Sequence, residues 1–330
     1  MTKVLVTGAS GFIAKHILRE LLAKDYEVRA SIRSDRRKAE IEALFPEADI
    51  EFVTLDLSKD DGWQEAMTGV DVLMHTASPF PMALPKDPQD LIRPAVDGTL
   101  RALKAAKSAG VGRVIITSSC VAIYKDAAKP KMDPSDERNW TTADAPYVTA
   151  YEASKTLAEK AAWDVVADAP DIALTTINPG LVFGPAMDKH YGTSLNVIEQ
   201  LMTGEMPMVP AINMVTVDVR DVARMHVDAI ALEETKGERF VAASDALSFL
   251  ELGQAIKEAV PDAKTPTRVA PDWLLRAMAL VMQDLAAIVP NLGRNLLCSN
   301  SKAEKTFGMT FIPTRDAAVA SAQSVREFTG

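Results

Sequence analysis

Short apolar runs rich in Val and Ile alternate with longer amphipathic stretches through the first half of the chain. Lys3–Val6 reads as a strand, followed by a glycine-containing turn and a helix over Phe12–Ala23. Glu27–Ile32, Ile50–Thr54, Val70–His75, Arg113–Thr117 and Ile172–Ile177 read as five further strands. Between them, Thr99–Ala109 reads as a helix stopped by Gly110, and Ala150–Asp168 as a long helix. Strands apolar on both faces and separated by helices predict an α/β protein with a parallel sheet covered on both sides.

After Asn178 the pattern changes. Pro179, Pro185, Pro207 and Pro210 punctuate shorter elements, with helices over Leu195–Met202, Val219–Leu232, Phe249–Ala259 and Trp273–Ile288. The last of these suits a pocket lid, a dimer contact or a core helix, and core packing is the reading adopted. Ala127–Ala145, with Pro130, Pro134 and many charges, reads as an exposed insertion. The expected division is a cofactor-binding domain over 1–178, to which about 215–245 returns, and a smaller, mainly substrate-binding part over 179–330.

Composition narrows the class. The 330 residues are 48 % hydrophobic and 25 % charged, which excludes disorder. A net charge of −9 argues against nucleic acid or anionic membrane as a partner. Two cysteines, Cys120 and Cys298, exclude a disulfide scaffold, and with four scattered histidines they offer no metal-ligand spacing. The N-terminus has no signal-peptide pattern, and Trp273–Pro290, broken by Arg276, Gln283 and Asp284, falls short of a membrane span. A cytoplasmic monomer or homodimer is the expectation.

The candidate chemistry begins at Thr7-Gly8-Ala9-Ser10-Gly11-Phe12-Ile13-Ala14, between the first strand and first helix. Gly8 permits a tight turn, Gly11 lets a pyrophosphate approach, and the helix start at Ser10, Gly11, Phe12 and Ile13 offers N–H groups and a positive dipole end. This motif on a strand–turn–helix predicts a Rossmann-type, doubly wound sheet that binds a dinucleotide. An NAD-selective site carries Asp or Glu after the second strand. Here Arg33 stands there, followed by Arg36, Arg37 and Lys38, and a guanidinium suits the 2′-phosphate of NADPH/NADP+. The basic cluster also reads in part as a solvated helix start. Asp56, with Leu57, either borders the adenine or closes a turn.

Tyr151 and Lys155 lie four apart on one helix face. A free phenol titrates near about 10, and a nearby ammonium is expected to lower that value. Tyr151 then exchanges a proton with the oxygen of a carbonyl receiving hydride, while Lys155 also holds the nicotinamide ribose. A hydroxyl at the end of the fifth strand completes the set. Ser119 is assigned to the carbonyl and Ser118, next to Thr117, to the cofactor side; the reverse order of the two serines stays open.

These segments, with His75-Thr76-Ala77-Ser78-Pro79-Phe80, Val96-Asp97-Gly98-Thr99, Ala158-Glu159-Lys160-Ala161-Ala162-Trp163, Asn178-Pro179-Gly180-Leu181-Val182-Phe183-Gly184-Pro185 and Val217-Asp218-Val219-Arg220-Asp221-Val222-Ala223, resemble the extended short-chain dehydrogenase/reductase family. The similarity is to its dihydroflavonol 4-reductase, cinnamoyl-CoA reductase and aldehyde reductase branch. The resemblance implies that Ser119, Tyr151 and Lys155 are catalytic. It also implies that Thr76, Ala77 and Ser78 line the cofactor cleft and that Pro179, Gly180, Leu181 and Val182 lie along the nicotinamide. Asp97 departs from the Asn of many relatives. Phe80, Pro81, Met82, Tyr191, Asn213 and Met214 are the candidate substrate wall, apolar enough for a hydrophobic aldehyde or ketone. The expectation is an NADPH-dependent carbonyl reductase, reversible as an alcohol dehydrogenase. A nucleotide-sugar epimerase or dehydratase and a non-enzymatic NADP(H) sensor are the alternatives.

Overall fold

The computed structural model describes residues 1–79, 87–128, 134–282, 285, 288–292 and 296–329. Its strands, in chain order, are β1 (Lys3–Thr7), β2 (Glu27–Ile32), β3 (Ile50–Thr54), β4 (Val72–His75), β5 (Arg113–Thr117), β6 (Ala173–Pro179), β7 (Leu181–Phe183), β8 (Asn213–Asp218), β9 (Glu238–Ala242) and β10 (Ala246–Ser248). The helices are α1 (Phe12–Ala23), α2 (Asp35–Leu44), α3 (Trp63–Ala66), α4 (Gln89–Ala109), α5 (Ala150–Ala167) and α6 (Gly192–Thr203). They continue with α7 (Val219–Asp228), α8 (Phe249–Ala259), α9 (Asp272–Met278), α10 (Ser301–Phe307) and α11 (Thr314–Thr329).

A seven-stranded sheet has the order β3-β2-β1-β4-β5-β6-β9. The pairs from β3 through β6 are all parallel. The order reverses direction between β1 and β4, the place where doubly wound sheets leave a ligand crevice outside the strand ends. A smaller sheet, β10-β8-β7, pairs β7 with β8 in parallel and β8 with β10 antiparallel.

The chain forms two compact units. The first comprises Met1–Ala122, Ala150–Asn178 and Val222–Phe240. Its core joins Leu5, Leu73, Val114, Ile116 and Leu174 of the sheet to Leu103 and Ala106 of α4 and Ala162 of α5. The second comprises Ile123–Thr149, Pro179–Asp221 and Val241–Gly330, around Phe183, Ile198, Leu201, Leu252, Ile256, Ala318 and Ala322.

The turn after β1 is fixed from three sides within the first unit. Gly8 N–H donates to Ser31 Oγ at 3.0 Å, and Ala9 N–H to the Ser31 carbonyl at 3.0 Å. Thr76 Oγ1 donates to the Thr7 carbonyl at 2.5 Å, and Ala77 N–H to Thr7 Oγ1 at 3.1 Å. Gly8 sits at φ +64°, and a Cβ there would lie 2.9 Å from Ala77 Cα. Conformation and space both require glycine at this point.

Three elements differ from the sequence-based expectation. α4 starts at Gln89 rather than Thr99, running through Pro94. That proline removes one ladder bond early in the helix, while Leu91 and Ala95 on either side of it are buried. The stretch expected as an exposed insertion carries buried Ser135 and Thr141, and Ser135 forms a bridge with Cys298. The apolar segment after Pro271 is core only in part: Leu275 joins the second unit's core and Leu285 and Ile288 pack against it, but Trp273 is 70 % exposed and Leu280 and Val281 are 86 % and 85 % exposed.

Two stability effects follow. Gly8→Ala is expected to cost about 2 kcal/mol, from left-handed backbone strain and the Ala77 contact, read as a lower urea midpoint. Buried His75 and His226 are each held down to about 4 by desolvation, with the Lys155 charge adding to the effect at His75. The unfolded chain takes up those protons below about pH 6.5, so this contribution is complete above that pH and is lost as pH falls toward 4, about 3 kcal/mol per histidine. Urea titrations at about pH 7.5 and about pH 5 should show the lower midpoint in acid, with a smaller difference in His226→Gln.

Candidate active site

Residues four apart on a helix share a face, and α5 places Tyr151, Lys155 and Glu159 along one such line. At the end of β5 the chain turns into a short 3₁₀ segment, Cys120–Ala122, stabilised by Ala122 N–H donating to the Ser119 carbonyl at 3.0 Å. That turn presents the Ser119 hydroxyl to α5, where it hydrogen-bonds the Tyr151 phenol. Val121 N–H also donates to Ser119 Oγ, at 3.3 Å.

Burial pushes the Tyr151 phenol up to about 12; the Ser119 hydrogen bond opposes this and the Glu152 charge adds to it. The expected lowering by Lys155 is not found: burial dominates the phenol, and the lowering that opposes it comes from Ser119. Lys155 is itself pulled down to about 8 by burial, against the opposing charge of Glu159. Its charge falls instead on His75, whose Nδ1 is 2.9 Å from Thr7 Oγ1. Among the described residues the Lys155 ammonium makes no hydrogen bond, so its three donors are available to a ligand.

Glu159 is the centre of a buried polar network that sequence reading missed. Its carboxylate accepts from Ser118 Oγ, from Asn178 Nδ2 at 2.7 Å, from Thr176 Oγ1 at 3.2 Å, from Trp163 Nε1 at 3.4 Å and from Arg239 Nε at 2.6 Å. Asn178 Nδ2 also donates to the Ser119 carbonyl at 3.2 Å, and the Cys120 thiol donates to the Asn178 carbonyl at 3.1 Å. The signal available in the sequence was Glu159's place one helical turn beyond Lys155; Arg239 had none. Ser118 is thus directed at Glu159, and Ser119 is the serine at the phenol.

The cofactor candidates of the first unit gather at the sheet's switch point. α1 begins at N-cap Gly11 with no side-chain cap and no acidic residue in its first turn; the Gly11 N–H donates to the Gly8 carbonyl at 2.9 Å, and the N–H groups of Phe12 and Ile13 keep an uncompensated positive end. Ser10, Thr76, Ala77 and Ser78 flank that turn and are partly or wholly accessible apart from their backbone ties. This cradle, which a Cβ on Gly8 would fill, fits a diphosphate. Arg33 is exposed and makes no hydrogen bond or ion pair among the described residues. Arg36 and Arg37 pair with Glu40, and Lys38 pairs with Glu42 and lies 5.5 Å over the Phe52 ring. Asp56 accepts from Ser58 N–H and Oγ at 2.8 and 2.7 Å, which holds its carboxyl below the usual range, and the Arg33 charge acts in the same direction. Leu57 packs where a Cβ on Gly98 would stand 3.2 Å away. Thr117 Oγ1 lies 2.7 Å from His226 Nε2. Asp97 is exposed on α4 and lines an open groove with Asp60, Trp63, Arg101 and Lys104.

The remaining candidates belong to the second unit. Pro179 ends β6, and Gly180 donates to the Ala242 carbonyl at 3.0 Å, where a Cβ would meet the Val215 carbonyl oxygen at 2.5 Å. Leu181 and Val182 pair with Thr216 and Val217. Tyr191 is buried and its hydroxyl donates to Glu199 at 3.0 Å. Met214 is half-buried on β8 beside exposed Asn213. Phe80, Pro81 and Met82 lie outside the described residues.

The chain is similar to known proteins over most of its length. The profile of the NAD dependent epimerase/dehydratase family matches residues 4–243. The ketoreductase azaE of Aspergillus niger is 35 % identical, over 94 % of this chain and 93 % of that protein. The NADPH-dependent methylglyoxal reductase GRE2 of Saccharomyces cerevisiae is 31 % identical over 99 % of both. The crystal structure of yeast methylglyoxal/isovaleraldehyde reductase Gre2 complexed with NADPH superposes with a TM-score of 0.82 at 29 % identity, covering 99 % of this chain and 98 % of that one. The chain belongs to the NAD dependent epimerase/dehydratase family, within the extended short-chain dehydrogenases/reductases.

Proposed function

We propose that this protein is an NADPH-dependent carbonyl reductase acting on small aldehydes or ketones. The observation that carries the reading is the Ser119–Tyr151 hydrogen bond beside a Lys155 ammonium that makes no hydrogen bond among the described residues. Reductase relatives of nearly full length support it.

When bound, NADPH supplies the hydride. The N–H groups of Phe12 and Ile13 at the start of α1, next to the Gly8 turn, would hold its diphosphate. Arg33, exposed and without an ion pair, takes the 2′-phosphate. Lys155 would hold the cofactor's ribose hydroxyls through its unengaged donors. Ser119 donates a hydrogen bond to the carbonyl oxygen, which polarises it and strengthens as negative charge develops there. Tyr151 then gives that oxygen its phenolic proton. Because burial holds the phenol up at about 12, Tyr151 remains protonated, and hence an acid, throughout the neutral range. Lys155, at about 8, is the group that loses its charge first as pH rises. Reduction is therefore expected to decline on the alkaline side of about pH 8.

Purified protein tested with NADPH and NADH against a panel of aldehydes and ketones should oxidise NADPH preferentially. Failure to turn over any carbonyl while binding NADPH would establish a sensor instead. Tyr151→Phe should lower kcat by about 100-fold or more with NADPH affinity nearly unchanged. Arg33→Ala should raise the KM for NADPH with little effect on NADH; an unchanged preference would remove the 2′-phosphate assignment.

A further inference from the structure

One buried charge cluster of the first unit has no part in the proton and hydride steps. It is Glu159 with Arg239, joined to Ser118, Thr176, Trp163 and Asn178. Side-chain exposures of 1 % for Glu159 and 8 % for Arg239 make this an ion pair out of water. Such pairs are costly, and a neutral apolar filling of the same space serves stability equally well. A role in stability alone does not explain why the carboxylate sits one helical turn beyond Lys155 and binds the residue preceding Ser119.

Resting on the reductase reading, we propose that Glu159 is the positioning residue of the site: it fixes the Ser119 hydroxyl against Tyr151 through Ser118 and Asn178, and it supplies the negative charge that keeps the Lys155 ammonium protonated. The first half of the role is geometric. Ser118 Oγ and Asn178 Nδ2 both donate to Glu159 Oε2, and the same Asn178 amide holds the Ser119 carbonyl. The peptide on either side of the Ser119 Cα is therefore tied to one carboxylate oxygen. The second half is electrostatic. Lys155 interacts with His75 from β4 and with Glu159 from its own helix, Glu152 acts on Tyr151, and Arg239 from β9 meets Glu159 rather than Lys155. The Glu159 carboxylate is the acidic partner acting on Lys155, and its charge works against the burial that draws Lys155 down.

The two halves separate by substitution. Glu159→Gln keeps the volume and removes the charge. Its Lys155 titration, followed by NMR of [13C]lysine-labelled protein and assigned by Lys155→Met, should fall by about one pH unit. The alkaline limb of kcat/KM for carbonyl reduction should move with it. Ser118→Ala leaves the charge in place. It should lower kcat about tenfold without moving that limb. Glu159→Asp, which retains the charge, should keep the limb near its wild-type position. A Lys155 titration unchanged in Glu159→Gln overturns the electrostatic half, and wild-type kcat in Ser118→Ala overturns the geometric half. If Glu159→Gln does not fold, Ser118→Ala and Glu159→Asp still decide both halves: a limb displaced in Glu159→Asp as far as Lys155 loss of charge would displace it counts against the charge role. An inactive wild-type protein would defeat the reductase reading, yet the NMR titration would still report what Glu159 does to Lys155.

Discussion

A carboxylate taken out of water must find donors and a counter-charge, and the first unit is organised around one that does. Glu159 gathers hydrogen bonds from the end of β5, from β6, from its own helix and from β9. Those strands are adjacent in the sheet, so the carboxylate ties α5 to three neighbours at once. The place of α5 over the sheet then follows from polar pairing as well as from the packing of Ala162 and its neighbours. The line of Tyr151 and Lys155 on that helix is set by the same anchor.

A second constraint acts where the strand order reverses. The β1 turn approaches the chain after β4 so closely that only glycine fits at position 8, and the Thr7 side chain and carbonyl bond across the same gap. Close backbone approach leaves the start of α1 uncovered by side chains, with its N–H groups pointing outward. The positive end left at the start of α1 thus owes to tight packing rather than to any charged residue. Arg33 adds charge at a separate place, after β2, where the neighbouring basic residues are engaged with carboxylates of their own helix.

Much of this was legible in the sequence, because it is local. Arg113–Thr117 is an apolar run through its centre, Glu27–Ile32 sets Val28, Ala30 and Ile32 on one face, and the helices Phe12–Ala23 and Phe249–Ala259 carry clear periodicity. Tyr151 and Lys155 are related by helical spacing alone. What escaped depends on distant partners. β9 opens with Glu238 and Arg239, which reads as surface until Arg239 is seen to meet Glu159, eighty residues away. The helix expected from Thr99 starts at Gln89, because burial of Leu91 and Ala95 on both sides of Pro94 carries it through the proline. The apolar residues around Leu280 read as core because the sequence does not say that they face solvent. The pKa expectation at Tyr151 failed for a related reason: spacing reports the neighbour on the helix but not the burial that dominates the phenol.

The hydrogen bond from the Cys120 thiol to the Asn178 carbonyl bears on how the molecule can be studied. Cys120 is fully buried, whereas Cys298 is partly accessible, and the sequence contains no other thiol. Alkylating reagents react through an exposed thiolate, which Cys120 does not offer. A fluorophore or spin label applied to the native protein would therefore attach at Cys298, in the second unit. Motion there could be followed without altering any residue near Ser119 or Tyr151.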